Sequence, residues 1–121
     1  MAVTVTPLFC ALDMTDLGRA RSLAETLSSL GLGLKLGLEF YSSHGPKGVR
    51  EIRKAAPLAP IFLDLKFHDI PNTVAGALRG VADLEVAYVN VHAAGGRAML
   101  EAAVETLRGT PARLLGVTVL T

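Results

Sequence analysis

The chain has 121 residues, half of them hydrophobic, with 12 Lys+Arg against 11 Asp+Glu, one cysteine and no tryptophan. That is one domain's worth of chain or part of one. The hydrophobic content excludes disorder, and a net charge of +1 leaves no cationic excess to displace counterions from a phosphate backbone, so no nucleic acid partner is expected. Mean hydropathy is +0.43, yet the longest uncharged stretch, Met1 to Leu12, is far short of the roughly 20 residues of a spanning helix. Met1-Ala2-Val3 lacks the basic start and small-residue cleavage site of a secretory signal. The lone Cys10 sits in an apolar run and reads as a small core residue. A soluble cytoplasmic protein with no membrane contact is expected.

Apolar runs begin the reading in chain order: Leu8 to Leu12, Leu32 to Leu38, Ile61 to Leu65, Val86 to Val91 and Leu114 to Leu120. Each gap carries a helical pattern. In the first, Leu17, Ala20, Leu23, Ala24, Leu27 and Leu30 share a face, Thr15 or Asp16 is placed to cap the start, and Gly31 stands where a left-handed cap would end it. In the second, Val49, Ile52 and Ala56 repeat the scheme, and His44-Gly45-Pro46 reads as a turn and helix start. The third is expected to begin at Pro71, whose missing N–H costs nothing in a first turn, and to run through Val74, Leu78 and Val81. The fourth follows Gly95-Gly96 and turns Met99, Leu100, Ala103, Val104 and Leu107 inward.

Strands separated by crossover helices are parallel, so the chain is a β-α repeat of the α/β class, with no linker to mark a domain boundary. Two architectures fit five such strands: an open doubly wound sheet, or the first part of a (β/α)₈ TIM barrel. Strand 2 alternates Leu32, Leu34, Leu36 and Leu38 with Gly33, Lys35, Gly37 and Glu39, and strand 3 alternates Ile61, Leu63 and Leu65 with Phe62, Asp64 and Lys66. Charge on one interior face of neighbouring strands suits a barrel mouth better than the middle of a flat sheet. Polar residues gather at the carboxyl ends: Asp13, Lys35 and Glu39, Asp64 and Lys66, Asn90 and His92, Thr118 and Thr121. Eight repeats of this length would need roughly 210 residues, within the usual barrel range.

The richest stretch runs from Leu63 to Thr73. With a side-chain period of two, Asp64 and Lys66 stand side by side on one strand face, and Asp69, in the turn before Pro71, is placed to return to the lysine. A lysine among carboxylates keeps its proton, which suits a proton donor better than a Schiff-base nucleophile. The plain alternative is an ion network that ties strand to loop. Lys35 and Asp13 weigh against it, because they bring more charge than such a tie needs, and charge clusters concentrate at functional sites. His92 reads as a core histidine or site wall with no ligand at metal spacing, His68 as a loop residue, and Gly95-Gly96 as a weak anion signal at a helix start.

Asp64-Leu65-Lys66-Phe67-His68-Asp69-Ile70-Pro71-Asn72-Thr73 closely resembles the signature of the orotidine 5′-monophosphate decarboxylase family. Ala11-Leu12-Asp13, Lys35-Leu36-Gly37-Leu38-Glu39, Val91-His92-Ala93-Ala94-Gly95-Gly96 and Val117-Thr118-Val119-Leu120-Thr121 resemble the same family in order. The resemblance implies a (β/α)₈ barrel of which residues 1–121 form the amino-terminal half, the carboxyl-terminal half with its phosphate-gripping loops being absent from the sequence. It implies decarboxylation of orotidine 5′-monophosphate to UMP in pyrimidine biosynthesis, by a homodimer that uses neither metal nor organic cofactor.

The same resemblance assigns Lys66 as the acid that protonates C6, Asp64 as the group beside the departing carboxylate, and Lys35 and Asp13 as ligands of the ribose hydroxyls and members of the charge network. Thr121 would touch the nucleotide, and Asp69 and Thr73 would reach the partner subunit's site. A chain without the later strands is expected to be inactive alone. Two rivals share some features: a magnesium-dependent sugar-phosphate decarboxylase or synthase with Asp-x-Lys-x-x-Asp, and a non-catalytic half-barrel that pairs with another chain.

Overall fold

The computed structural model describes residues 8–121; Met1 to Val3, read above for a secretory signal, lie outside them. Two compact units divide the chain, Met1–Phe62 and Leu63–Thr121, and the division falls inside a strand and not in a linker.

The first unit holds β1 (Phe9–Ala11), α1 (Leu17–Ser29), β2 (Gly33–Gly37), α2 (Leu38–Ala55) and the first residues of β3 (Ile61–Phe67). β1 and β2 are parallel, with Phe9 opposite Gly33, Cys10 opposite Leu34 and Ala11 opposite Lys35. A side chain at Gly33 would meet the Phe9 ring at 2.6 Å, so glycine there leaves room for the ring, which stands edge-on to Phe62, centroids 6.0 Å apart. Asp16 is the N-cap of α1, its Oδ1 accepting from the Arg19 N–H at 3.0 Å. Gly31 follows in the left-handed conformation expected of it, φ 79°. Ala20 and Ala24 are buried, but Leu30, expected inward, is exposed: it is the C-cap, where the helical face no longer applies.

Strand 2 is shorter than its leucine run. Leu38 and Glu39 belong to α2, so Glu39 lies in a first helical turn and not at a strand end. α2 is two helical pieces broken at Gly45, whose φ of 62° and ψ of −158° no helix accepts, and Pro46 starts the second piece. His44 donates through Nε2 to the Thr15 carbonyl, which ties this kink to the β1–α1 loop. Phe40, Val49 and Ile52 are fully buried, and each such side chain contributes about 1.5–3 kcal/mol by leaving water. Arg53 donates to the carbonyls of Pro57 and Ala59, tying α2 to the loop through which the chain turns into β3.

The second unit continues β3 and adds α3 (Pro71–Ala82), β4 (Tyr88–His92), a 3-10 turn (Ala93–Gly95), α4 (Arg97–Leu107) and β5 (Arg113–Val117). α3 begins at Pro71, and Val74, Leu78 and Val81 are its buried face. α4 buries Met99, Ala103 and Leu107, while Val104, expected inward, is exposed. β4 and β5 are parallel from Tyr88 opposite Arg113 to His92 opposite Val117. The fold is therefore α/β, five parallel strands alternating with helices. No helix among the described residues is long and apolar enough to cross a membrane.

Replacing the cap of α1, Asp16→Ala, is expected to lower stability by about 1 kcal/mol, whereas Leu58→Ala, at a side chain 93% exposed, stays within about 0.5 kcal/mol of the parent. Urea unfolding of the two variants checks this.

Candidate active site

The carboxyl end of β3 carries the charged pair that the sequence singles out. Asp64 is 8% exposed, and a carboxylate at that depth must be met by donors. Its Oδ1 accepts from Lys66 Nζ at 2.8 Å and from Asn90 Nδ2 at 2.7 Å. Asn90 lies on β4, buried between Val89 and Val91. Its own Oδ1 accepts from the Lys66 backbone N–H at 2.8 Å. Asp64, Lys66 and Asn90 thus form a closed triangle of three hydrogen bonds.

Lys66 has φ 49°. For a residue with a Cβ the left-handed region costs about 1–2 kcal/mol, and such strain persists where the surroundings over-determine it. Here both ends of the residue are held, the N–H by Asn90 and the ammonium by Asp64. The Lys66 side chain remains 37% exposed against 10% for Asp64, so the ammonium is reachable from solvent while its carboxylate partner is not. The pair can present a proton on a fixed cation, with a fixed anion beside it.

The expected alternation of Asp64 and Lys66 is thus realised as an ion pair. Asp69 does not close on the lysine: it lies in the exposed loop after β3, and its Oδ1 accepts from the adjacent Ile70 N–H at 2.7 Å. Lys66 is held by one carboxylate and one amide, not by two carboxylates. Thr73 is exposed in the first turn of α3, its N–H donating to the Ile70 carbonyl. His92 ends β4, half-buried, its ring 5.2 Å from that of His68 and tilted by 40°. Thr118 and Thr121 follow β5, both exposed.

In the first unit, Lys35 is half-buried in β2 beside Ala11, and its carbonyl accepts from the Leu12 N–H; Asp13 follows β1 in an exposed loop. Among the described residues no group of three or more His, Cys, Asp or Glu side chains gathers as a metal site. Asn90 is the residue that sequence reasoning left without a role. The available signal was an amide in the middle of the apolar Tyr88–His92 strand, where an unpaired polar group is costly.

Parallel strands alternating with helices, with a lysine–carboxylate pair on the third strand, define the chain as an α/β protein of the β-α repeat class. The model of the orotidine 5′-phosphate decarboxylase / HUMPS family matches residues 6–121, and the chain belongs to that family. It is 51% identical over 126 residues to the orotidine 5′-phosphate decarboxylase of Rhodospirillum rubrum, covering 98% of this chain and 51% of that one. Among solved structures, an uncharacterized conserved protein from Geobacillus kaustophilus superposes with a TM-score of 0.83 at 40% identity, over 95% of this chain and 55% of that one. The orotidine 5′-phosphate decarboxylase of Lactobacillus acidophilus gives 0.80 at 32% identity, over 95% and 54%. The chain spans about half the length of these relatives, and its fold is that of four β-α units and a fifth strand of a TIM barrel.

The backbone at Lys66 gives a direct test. Lys66→Gly is expected to be more stable than Lys66→Ala by about 1 kcal/mol, because both lose the ammonium and only alanine retains the left-handed penalty. Equal stability in denaturant unfolding would show that the backbone relaxes when the lysine is removed.

Proposed function

We propose that this chain supplies the lysine-bearing half of an enzyme that decarboxylates orotidine 5′-monophosphate to UMP in pyrimidine biosynthesis. The observation that carries the reading is the 2.8 Å pair between the solvent-reachable Lys66 ammonium and the buried Asp64 carboxylate, in a chain that belongs to the decarboxylase family.

The C6–carboxylate bond breaks, CO₂ departs and the electron pair stays on C6, in the plane of the ring where the π system does not delocalise it. A preorganised cation beside that carbon is the available stabiliser. Lys66 Nζ then gives its proton to C6 and regains one from solvent. Asp64 faces the departing carboxylate and holds the ammonium in place. Lys35 and Asp13 bind the ribose hydroxyls, and Thr121 touches the nucleotide. Asp69 and Thr73 serve the partner subunit's site in a homodimer, a role that suits their exposed positions in the loop and first turn after β3. His92 forms part of the site wall. The enzyme works in the cytoplasm and needs neither metal nor organic cofactor.

The test is UMP formation by the 121-residue chain beside a version extended to the length of its relatives through eight strands. Activity is expected in the extended form alone, since binding energy from the remote phosphate serves to orient the reacting end. Comparable turnover by both would place a phosphate site within residues 1–121. In the extended form Lys66→Ala should lower kcat by about 10³-fold or more, while affinity for UMP changes less than about tenfold. Equal losses in both would make Lys66 a binding residue only. EDTA should leave the rate unchanged, and a rate that falls with chelation and returns with magnesium would favour the sugar-phosphate chemistry instead.

A further inference from the structure

We propose that Asn90 is the positioning residue of this site: one side-chain amide sets both the backbone of Lys66 and the carboxylate that receives its ammonium. The kinetic part of this inference rests on the decarboxylase reading; the structural part does not.

Three observations carry it. Asn90 is 3% exposed between two fully buried valines, a place where an amide is costly unless both of its ends are paired. Both are: Oδ1 takes the Lys66 N–H, and Nδ2 gives a proton to Asp64 Oδ1. The orientation follows from the partners, because a flipped amide would set N–H against N–H and oxygen against carboxylate. Finally, Lys66 has φ 49°, so it departs from strand geometry at the residue whose N–H Asn90 takes.

No other side chain of this size does both tasks. Leucine fills the volume without donor or acceptor, and an aspartate keeps the acceptor for Lys66 but sets a second carboxylate against Asp64. Without Asn90 the lysine keeps its charge but loses its fixed direction. Turnover should therefore fall while substrate affinity holds, the mark of an interaction that matters most in the transition state.

The experiment has two arms. In the 121-residue chain, exchange of the Lys66 amide hydrogen is read against that of Val91. It should be accelerated at least tenfold in Asn90→Ala and stay within threefold of the parent in Asn90→Asp, which keeps the acceptor. Equal exchange in all three forms would overturn the backbone role. In the extended form, Asn90→Asp should lower kcat about 100-fold at pH 8 with KM within threefold. It should regain about tenfold relative to the parent as pH falls to 5.5, when the two neighbouring carboxylates share a proton and the lost donor returns. Asn90→Leu should show no such recovery, and if it does not fold, the pH response of the near-isosteric Asn90→Asp decides alone. A kcat equal to the parent's, or a loss confined to KM, would overturn the proposal. Absence of UMP formation by the unsubstituted extended form would reject the decarboxylase reading and leave the exchange arm to decide on Asn90.

Discussion

A carboxylate withdrawn from water has to be answered by donors, and the answer given to Asp64 organises the second unit. Its Oδ1 receives a lysine from its own strand and an amide from the next one. The amide's other end returns to the lysine's backbone. That loop links β3 to β4 by side chains as well as by strand pairing, and it keeps a residue with φ 49° from relaxing. The magnitudes are compatible: a left-handed residue costs about 1–2 kcal/mol, and burial of one leucine such as Leu63, fully buried on the same strand, offsets that by about 1.5–3 kcal/mol.

Much of the fold was legible in the sequence wherever the governing interaction is local. Asp16 as a cap, Gly31 as a left-handed end and Pro71 as a first turn each depend on a few neighbouring residues, and each stands where expected. The pairing of Asp64 with Lys66 is the one the strand period suggests, although the left-handed backbone of Lys66 is not part of that pattern. What escaped depends on partners far along the chain. Asn90 meets Asp64 across 26 positions, so its role follows from the alignment of β3 with β4, which no pattern within β4 reveals. The left-handed backbone of Lys66 has no compositional signal, since lysine is not a residue that favours it. The unbroken leucines suggest that strand 2 includes Leu38 and Glu39, whereas Gly37 ends the strand and is the N-cap residue of α2. Val104 and Leu30 show the complementary error, apolar residues at helical spacing that the neighbouring elements do not cover.

The two faces of β3 divide the labour seen throughout this class of fold. Ile61, Leu63 and Leu65 are buried and hold the strand in place, while Asp64 and Lys66 alternate with them at the carboxyl end. Burial on one face makes the placement of the other dependable: a slip of one residue would exchange the two faces and set the charged pair where the apolar side chains pack. The fixed position of the Lys66 ammonium is in this sense a by-product of packing, to which the hydrogen bonds of Asp64 and Asn90 add.

The division of the chain at Phe62 also has a spectroscopic consequence. There is no tryptophan, and of the two tyrosines Tyr41 lies on α2 in the first unit and Tyr88 on β4 in the second. Each half therefore carries a single tyrosyl chromophore, with no indole to drain its excitation. A chain with Tyr41→Phe reports only on Leu63–Thr121, and one with Tyr88→Phe only on Met1–Phe62. Whether the two halves melt together or in sequence becomes readable from ultraviolet emission without any attached dye.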